Sequence, residues 1–335
     1  MAPVDETLSA EDLAAGQASL RSLLTGFWGA RAVHAAVRVD LFNALSARPQ
    51  KTDEVAQSLR IDPRACEVLL NALVSLGLLE REEGAYKNSL VSKTLLASDS
   101  EYRQSSLARA FSDEWDAFGS LEETLRTGAP PRPVIPRDED EINARRDEAS
   151  VIAPLIVKKL DVSRVKRVLE IGAGPATYAI ALAQASAGYE ITVVDSQQRA
   201  PLAKQRIDEA GLGGRIRVET ADPLNADFGT ECYDLVLIPG LRLLSLDLAK
   251  PLVKRAFQAT VSEGRCVIDD ILLRDDRTGP LPATLLALEM LTRAGGARTY
   301  SGWEVTDLMQ TEGFIRVQII PLDPSAHSLV VGIRP

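Results

Sequence analysis

Histidine is almost missing from this chain: its 335 residues contain two, His34 and His327. A metal centre built on several imidazoles is thereby excluded. Cysteine is nearly as scarce. Cys66, Cys232 and Cys266 stand far apart, none in a CxxC pair, and read as reduced thiols in a reducing cytosol. No apolar run approaches the ~20 residues that span a bilayer. The opening MAPVDETLSAEDLAAG is acidic and lacks the apolar core of a signal peptide. The expectation is a cytoplasmic protein with no metal and no membrane partner. Basic charge is short as well: 38 Lys+Arg against 47 Asp+Glu leaves −9, the wrong sign for a protein that neutralises phosphates, so no nucleic-acid partner is expected.

What is present is ample apolar content, 45% of residues, in a length that suggests two domains. The first, residues 1–128, reads as helical. Leu20 to Leu45 repeats apolar residues at helical spacing through Leu24, Phe27, Trp28, Val33, Val37 and Leu41. Thr52, with Asp53 and Glu54, caps a short helix, and Asp62-Pro63 starts another, PRACEVLLNALVSLGLLE. A partly polar ribbon turns at Gly84. Three helices followed by a ribbon is the order of a winged-helix module, which makes a DNA-binding regulator a competing reading. Against it, the third helix offers only Arg64, Glu67 and Asn71 as readers of bases. From Gly29 to Ser100 nine basic residues are matched by nine acidic ones. A dimerisation and pocket-lining role fits better.

Residues 129–160 read as a linker, GAPPRPVIPRDEDE, followed by an interdomain helix from about Ile142 to Leu160. From 161 to 335 strands and helices alternate. Strand-like runs stand at 166–171, 190–195, 215–220, 234–238 and 265–270, with helical patterns between them. Runs apolar on both faces imply a doubly wound, mainly parallel α/β sheet. The last two, FIRVQII and HSLVVGI, are joined by PLDPSA, too short for a parallel crossover, so this pair is expected antiparallel.

Chemistry is expected at the strand ends. VLEIGAGPATYAIALA sets Glu170 at the end of a strand, Gly172 and Gly174 in the turn, then a helix. Ligands of such sheets bind at the carboxyl ends near the switch point. Asp195 ends the next strand, where an acid holds ribose hydroxyls, and Asp222-Pro223 follows the third, where an acid accepts from an adenine amino group. A dinucleotide site needs GxGxxG, and Thr177 occupies its third glycine position. A carboxylate in the turn repels pyrophosphate and welcomes an ammonium. The set favours S-adenosyl-L-methionine as cofactor.

These motifs resemble the plant-type or acetylserotonin-type O-methyltransferase family, over nearly the whole chain. GFWGARAVHAAVRVDLFNAL resembles its dimerisation helix and VLEIGAGPATYAIALAQ its glycine motif, with Ala176 where a third glycine is common; DSQQRAPLAKQRIDEAGLGGRIRV and GGARTYSGWEVTDLMQTEGF resemble two further stretches. The resemblance implies a class I methyltransferase domain (Rossmann-like, seven strands), an interlocked homodimer and a small-molecule acceptor from natural-product chemistry. It also implies that Glu170, Gly172, Gly174, Asp195 and Asp222 contact the cofactor. Phe27, Trp28, Phe111, Trp115 and Met290 are candidates for an apolar substrate pocket between the domains, core packing being the alternative.

One departure stands out. The family carries a histidine base in a segment resembling LHDW, and DLVLIPGLRLLSLD puts Arg242 in its place. Arginine cannot serve as a base. Of the two flanking acids, Asp269 fits the first, while Ala297 lies near the second. Arg242 is expected to orient an anionic or carbonyl-bearing acceptor. Asp269, Tyr300 or a partner subunit's His34 remain open as bases, and non-methylating chemistry on the same fold remains an alternative.

Overall fold

The computed structural model describes residues 8–131, 138–160, 165–172, 174–293 and 296–335. The proline-rich core of the expected linker, 132–137, lies outside them, as does Ala173 of the glycine turn. By contact the chain divides into two compact units, Met1–Ser112 and Asp113–Pro335.

In the first unit a helix runs Ala10–Arg38, earlier than the apolar pattern marks it, because Ser9 and Asp12 form a capping box. Asp12 Oδ2 accepts from Ser9 N at 3.3 Å and Ser9 Oγ from Asp12 N at 3.1 Å. The single helix read from Leu20 to Leu45 is broken: Asp40 takes φ +64°, and Leu41–Ala44 forms a separate turn. The next helix, Thr52–Leu59, is capped one residue earlier than expected, with Glu54 accepting the Lys51 N–H at 2.8 Å. Pro63–Ser75 begins as read, Asp62 accepting from Ala65 N. Strands β1 (Leu79–Glu82) and β2 (Ala85–Asn88) make the ribbon. Leu41, Phe42, Val55, Leu70, Leu73 and Tyr86 fill this unit's core. The long helix contributes little to it. Leu20, Leu23, Leu24, Phe27 and Trp28 are 49–81% exposed.

The second unit is built on seven strands: β3 (Arg167–Ile171), β4 (Glu190–Asp195), β5 (Ile216–Thr220), β6 (Tyr233–Pro239), β7 (Thr260–Ile271), β8 (Ile315–Pro321) and β9 (His327–Ile333). They lie in the order β5-β4-β3-β6-β7-β9-β8. The first five are parallel, and β9 pairs antiparallel with both β7 and β8. This is the class I methyltransferase arrangement. Side chains alternate between two cores. Val168, Val193, Leu235 and Val267 face the helices Asp138–Lys159, Thr177–Ala185 and Ala200–Glu209. Leu169, Val194, Val236 and Ile268 face Leu246–Ala259 and Gly302–Thr311. Each such buried side chain contributes about 1.5–3 kcal/mol, which holds the register and so fixes what stands at the strand ends. Among the described residues no helix is long and apolar enough to cross a membrane.

Candidate active site

The strand order reverses between β3 and β6, and a cleft of about 380 Å³ opens at their carboxyl ends. Gly172, Asp195, Asp222, Pro223 and Leu224 line one side of it; Pro239–Leu241, Leu243, Leu244, Arg293 and Ala297 line the other. Arg145, from the helix Asp138–Lys159, closes over the turn.

The glycine turn is tied to the end of β4. Gly172 and Gly174 take φ +71° and +54°, values that a side chain strains, and a Cβ on Gly172 would meet nothing within 4 Å. Asp195 Oδ2 accepts from Gly174 N at 2.6 Å and Oδ1 from Ser196 N at 2.7 Å, leaving lone pairs for a ligand. Asp222 accepts from Leu224 N at 3.0 Å and lies exposed at the cleft edge. Ala176 also sits at positive φ, +56°, where the resemblance leads one to look for glycine.

Glu170 does not line the cleft. It is fully buried, and Oε2 accepts from Ala179 N at 2.8 Å, capping the following helix. Its other oxygen has no partner among the described residues. Burial, with Asp195 nearby, pushes this carboxyl up to about 8 against the Ala179 bond. An ionised carboxylate reaching into the turn was expected; what the fold provides is a largely protonated group beneath it.

Arg242 also stands elsewhere than the sequence suggests. The residues on either side of it line the cleft, but its guanidinium turns into the protein, 13% exposed. Nη1 donates to Asp270 Oδ1 at 3.0 Å and Nη2 to Glu148 Oε2 at 3.1 Å, while its backbone N–H donates to Asp270 Oδ2 at 2.6 Å. The expected open fork for a substrate is thus closed by two carboxylates. Asp269, one residue before, accepts from Tyr178 Oη at 2.8 Å. Its other oxygen meets the second histidine of the chain, His327 Nδ1, at 3.0 Å, and His327 Nε2 reaches Glu148 Oε1 at 3.3 Å.

Five charged groups therefore interlock. Burial works against the charge on His327, but its two carboxylate partners outweigh it and push the imidazole up to about 9. Glu148 is likewise desolvated, yet Arg242 and His327 pull it down to about 2. Burial and the Asp269 carboxylate raise Tyr178 well above 10. Burial takes Tyr300 to about 12, and its hydroxyl donates to Leu244 O at 2.7 Å. His34 belongs to the first unit, its Nδ1 buried without a partner among the described residues and its basicity lowered by burial, Arg31 and Arg38.

A second cluster flanks the cleft. Arg293 Nε donates to Glu289 Oε1 at 2.5 Å and Nη2 to Glu114 Oε1 at 2.7 Å. Both glutamates are nearly inaccessible, 5% and 4% exposed. Met290, next to Glu289, is buried; Phe27, Trp28, Phe111 and Trp115 are 38–61% exposed, and none of the five is among the residues lining the cleft. Sequence reasoning missed His327, Glu148, Glu114 and Glu289. The signals were small: a histidine opening an apolar strand, a lone acid in LALEM and one of three acids in SDEWD.

Residues 21–98 match the O-methyltransferase dimerisation domain, and residues 168–264 match a methyltransferase domain. The chain is 31% identical over 333 residues to the 3-hydroxy-5-methyl-1-naphthoate 3-O-methyltransferase of Streptomyces sahachiroi, covering 94% of each protein. It is 30% identical to the N,N-dimethyltransferase OxyT of Streptomyces rimosus, over 95% of this chain and 96% of the relative. Human N-acetylserotonin methyltransferase, solved with S-adenosylmethionine, superposes with a TM-score of 0.84 over 99% of both chains at 21% identity, a likeness of fold. A match this long, over both the dimerisation and the methyltransferase regions, settles the family: the chain is an S-adenosylmethionine-dependent methyltransferase of the O-methyltransferase family that carries an N-terminal dimerisation domain.

Proposed function

We propose that the chain transfers a methyl group to a hydroxyl of a small aromatic acceptor of natural-product type, such as a hydroxynaphthoate, and does so as a homodimer. The observation that carries the reading is the cleft at the switch point, where a turn with glycine at 172 and 174 and two acids, Asp195 and Asp222, follow successive strands. Asp195 would hold the ribose hydroxyls of S-adenosylmethionine, Asp222 and Pro223 the adenine end, and Gly172 and Gly174 the close approach of the backbone. When bound, the cofactor supplies a methyl group on a positively charged sulfur. Glu170 supports this turn from below by capping the helix that follows it. Arg242 and Asp269 act as positioning residues. They hold the ends of β6 and β7 through Asp270, His327 and Tyr178, which keeps the Gly240–Leu244 wall of the cleft in place.

Calorimetry tests the cofactor site. S-adenosylmethionine should bind the wild type, and Asp195→Ala should weaken it at least tenfold, about 1.4 kcal/mol. Binding of NADH with no response to S-adenosylmethionine would overturn the reading. The dimer rests on the apolar face of helix Ala10–Arg38, too greasy to stay in water. Light scattering of the full chain should give twice the monomer mass, and removal of residues 1–45 should give monomer or aggregate.

A further inference from the structure

The planar fork expected of Arg242 is closed by two carboxylates, but three other guanidiniums line the cleft, those of Arg145, Arg199 and Arg293. Arg145 lies over the glycine turn, its Cδ 3.7 Å from where a Cβ on Gly174 would stand, and Arg199 follows Asp195 on that same side. Of the three, Arg293 stands on the opposite wall, with Pro239, Gly240, Leu241, Leu243, Leu244 and Ala297. The first side is the one that fits S-adenosylmethionine, which leaves the acceptor to lie against the second. The side chains of that wall are apolar except for Arg293. A pocket of this kind fixes the pose of its ligand through the few polar groups it has.

Arg293 is held like a group with a task. It follows the helix Leu281–Met290, and its backbone N–H donates to Met290 O at 3.2 Å. Its Nε is bound by Glu289 and its Nη2 by Glu114, two nearly inaccessible carboxyls. In a rigid planar guanidinium, fixing two edges fixes the third. That third edge, Nη1, donates to no atom among the described residues, and unlike Glu289 Oε2 it is not shut away from solvent. Burial raises both carboxyls, Glu114 to about 7, so at neutral pH the two acids do not reverse the charge of the cation they hold.

We propose that Arg293 is the acceptor-orienting residue of this enzyme, and that it donates from Nη1 to a carbonyl oxygen carried on the acceptor's aromatic ring. Glu114 and Glu289 are positioning residues that aim it. The acceptor class is thereby narrowed to hydroxyarenes that bear a keto, ester or carboxylate group. The proposal deepens the methyl-transfer reading and rests on it.

The test uses full-length wild type, Arg293→Lys and Arg293→Met with 3-hydroxy-1-naphthoate, its methyl ester, and 2-naphthol, which keeps the hydroxyl and has no carbonyl. In wild type, kcat/KM should be about 10–100-fold higher on the acid or the ester than on 2-naphthol. An ester equal to the acid assigns the contact to a neutral carbonyl, and an acid preferred to the ester assigns it to a carboxylate. Arg293→Met removes the donor together with the cation of two buried acids. Arg293→Lys keeps a cation between them, and so the fold, but has no planar fork. In each variant the preference for a carbonyl should fall below about threefold. A ratio of substrates is read, so a general loss of active protein does not imitate the result. No preference in wild type overturns the proposal. So does a preference that survives in Arg293→Lys and Arg293→Met, because the arginine then only ties two acids together. Calorimetric binding of the three compounds to enzyme loaded with S-adenosylhomocysteine is read beside turnover. Carbonyl-selective binding that depends on Arg293, with no methyl transfer, supports the contact and fails the hydroxyl as the methylated group.

Discussion

Glu148 and Glu170 both belong to the second unit and both lose solvent on folding, Glu170 completely and Glu148 in large part, with 28% of its side chain left exposed. They end in opposite states. Glu148 lies between Arg242 and His327 and is pulled down to about 2; Glu170 has only a backbone N–H and the like charge of Asp195, and rises to about 8. Burial acts in the same direction on each, so neighbours decide the sign. The β7–β9 side of the sheet is a paired network in which charge is retained. On the β3–β4 side Asp195 is held by two backbone N–H groups, while Glu170 beneath the turn has one such donor and no cation, and its charge is disfavoured. A cofactor that brings its own cationic groups fits the second environment, whereas the first has its charges already matched by protein.

Removing the cation that separates the acids of the network breaks this contrast most severely. Arg242→Met leaves Glu148 and Asp270 facing one another with His327 alone, and should cost about 3–5 kcal/mol in chemical denaturation at pH 7. A loss under 1 kcal/mol would mean that the network relaxes to take in water and that the pairing is not what holds the β6–β7 wall.

Glu170→Gln sharpens the comparison from the other side. The native carboxyl titrates well above its unfolded value, so the folded state binds the extra proton and the wild type loses stability as pH rises from ~4.5 through about 8. Glutamine has no such slope. The variant should be close to wild type at pH 5 and gain on the order of 3 kcal/mol on it by pH 8.5. Parallel stability curves across that range would show that Glu170 is ionised in the native protein.

His327→Gln has the smaller effect, because glutamine still fills part of the gap between Asp269 and Glu148. The histidine's folded value lies above its unfolded one, so its contribution is complete below pH ~6.5 and is lost as pH rises through about 9. The variant should be destabilised by on the order of 2 kcal/mol at pH 6 and approach wild type by pH 9.5. A pH-independent difference would assign the loss to packing.

The strands and the glycine turn were legible because both rest on local rules. A run such as EITVVD is apolar on both faces whatever lies around it, and a turn at positive φ selects glycine. Asp195 and Asp222 followed from their places at the strand ends. The network was not legible, since Glu148, Arg242, Asp269 and His327 are separated by tens of residues and meet only because β9 lies beside β7. Reading Arg242 as a substrate fork failed for the same reason: nothing near it in the sequence announces Glu148 or Asp270 as its partners. The meeting of Glu114 and Glu289 is hidden further still: each stands beside a residue read for its apolar side chain, Trp115 and Met290, and the two are joined only through Arg293.

The placing of β9 has a consequence for how the protein is made. β8 precedes it in the chain but pairs only with β9, on the outer side, so β8 emerges from synthesis with no neighbour to dock on. Five parallel strands can assemble earlier, leaving the flank of β7 bare and Asp269 without its imidazole. One late event, the insertion of His327–Ile333 between β7 and β8, closes the sheet and brings His327 to Asp269 and Glu148 together. A ribosome-bound intermediate arrested before residue 327 should therefore present an open, hungry edge to chaperones, and release of the full chain should end that contact in a single step.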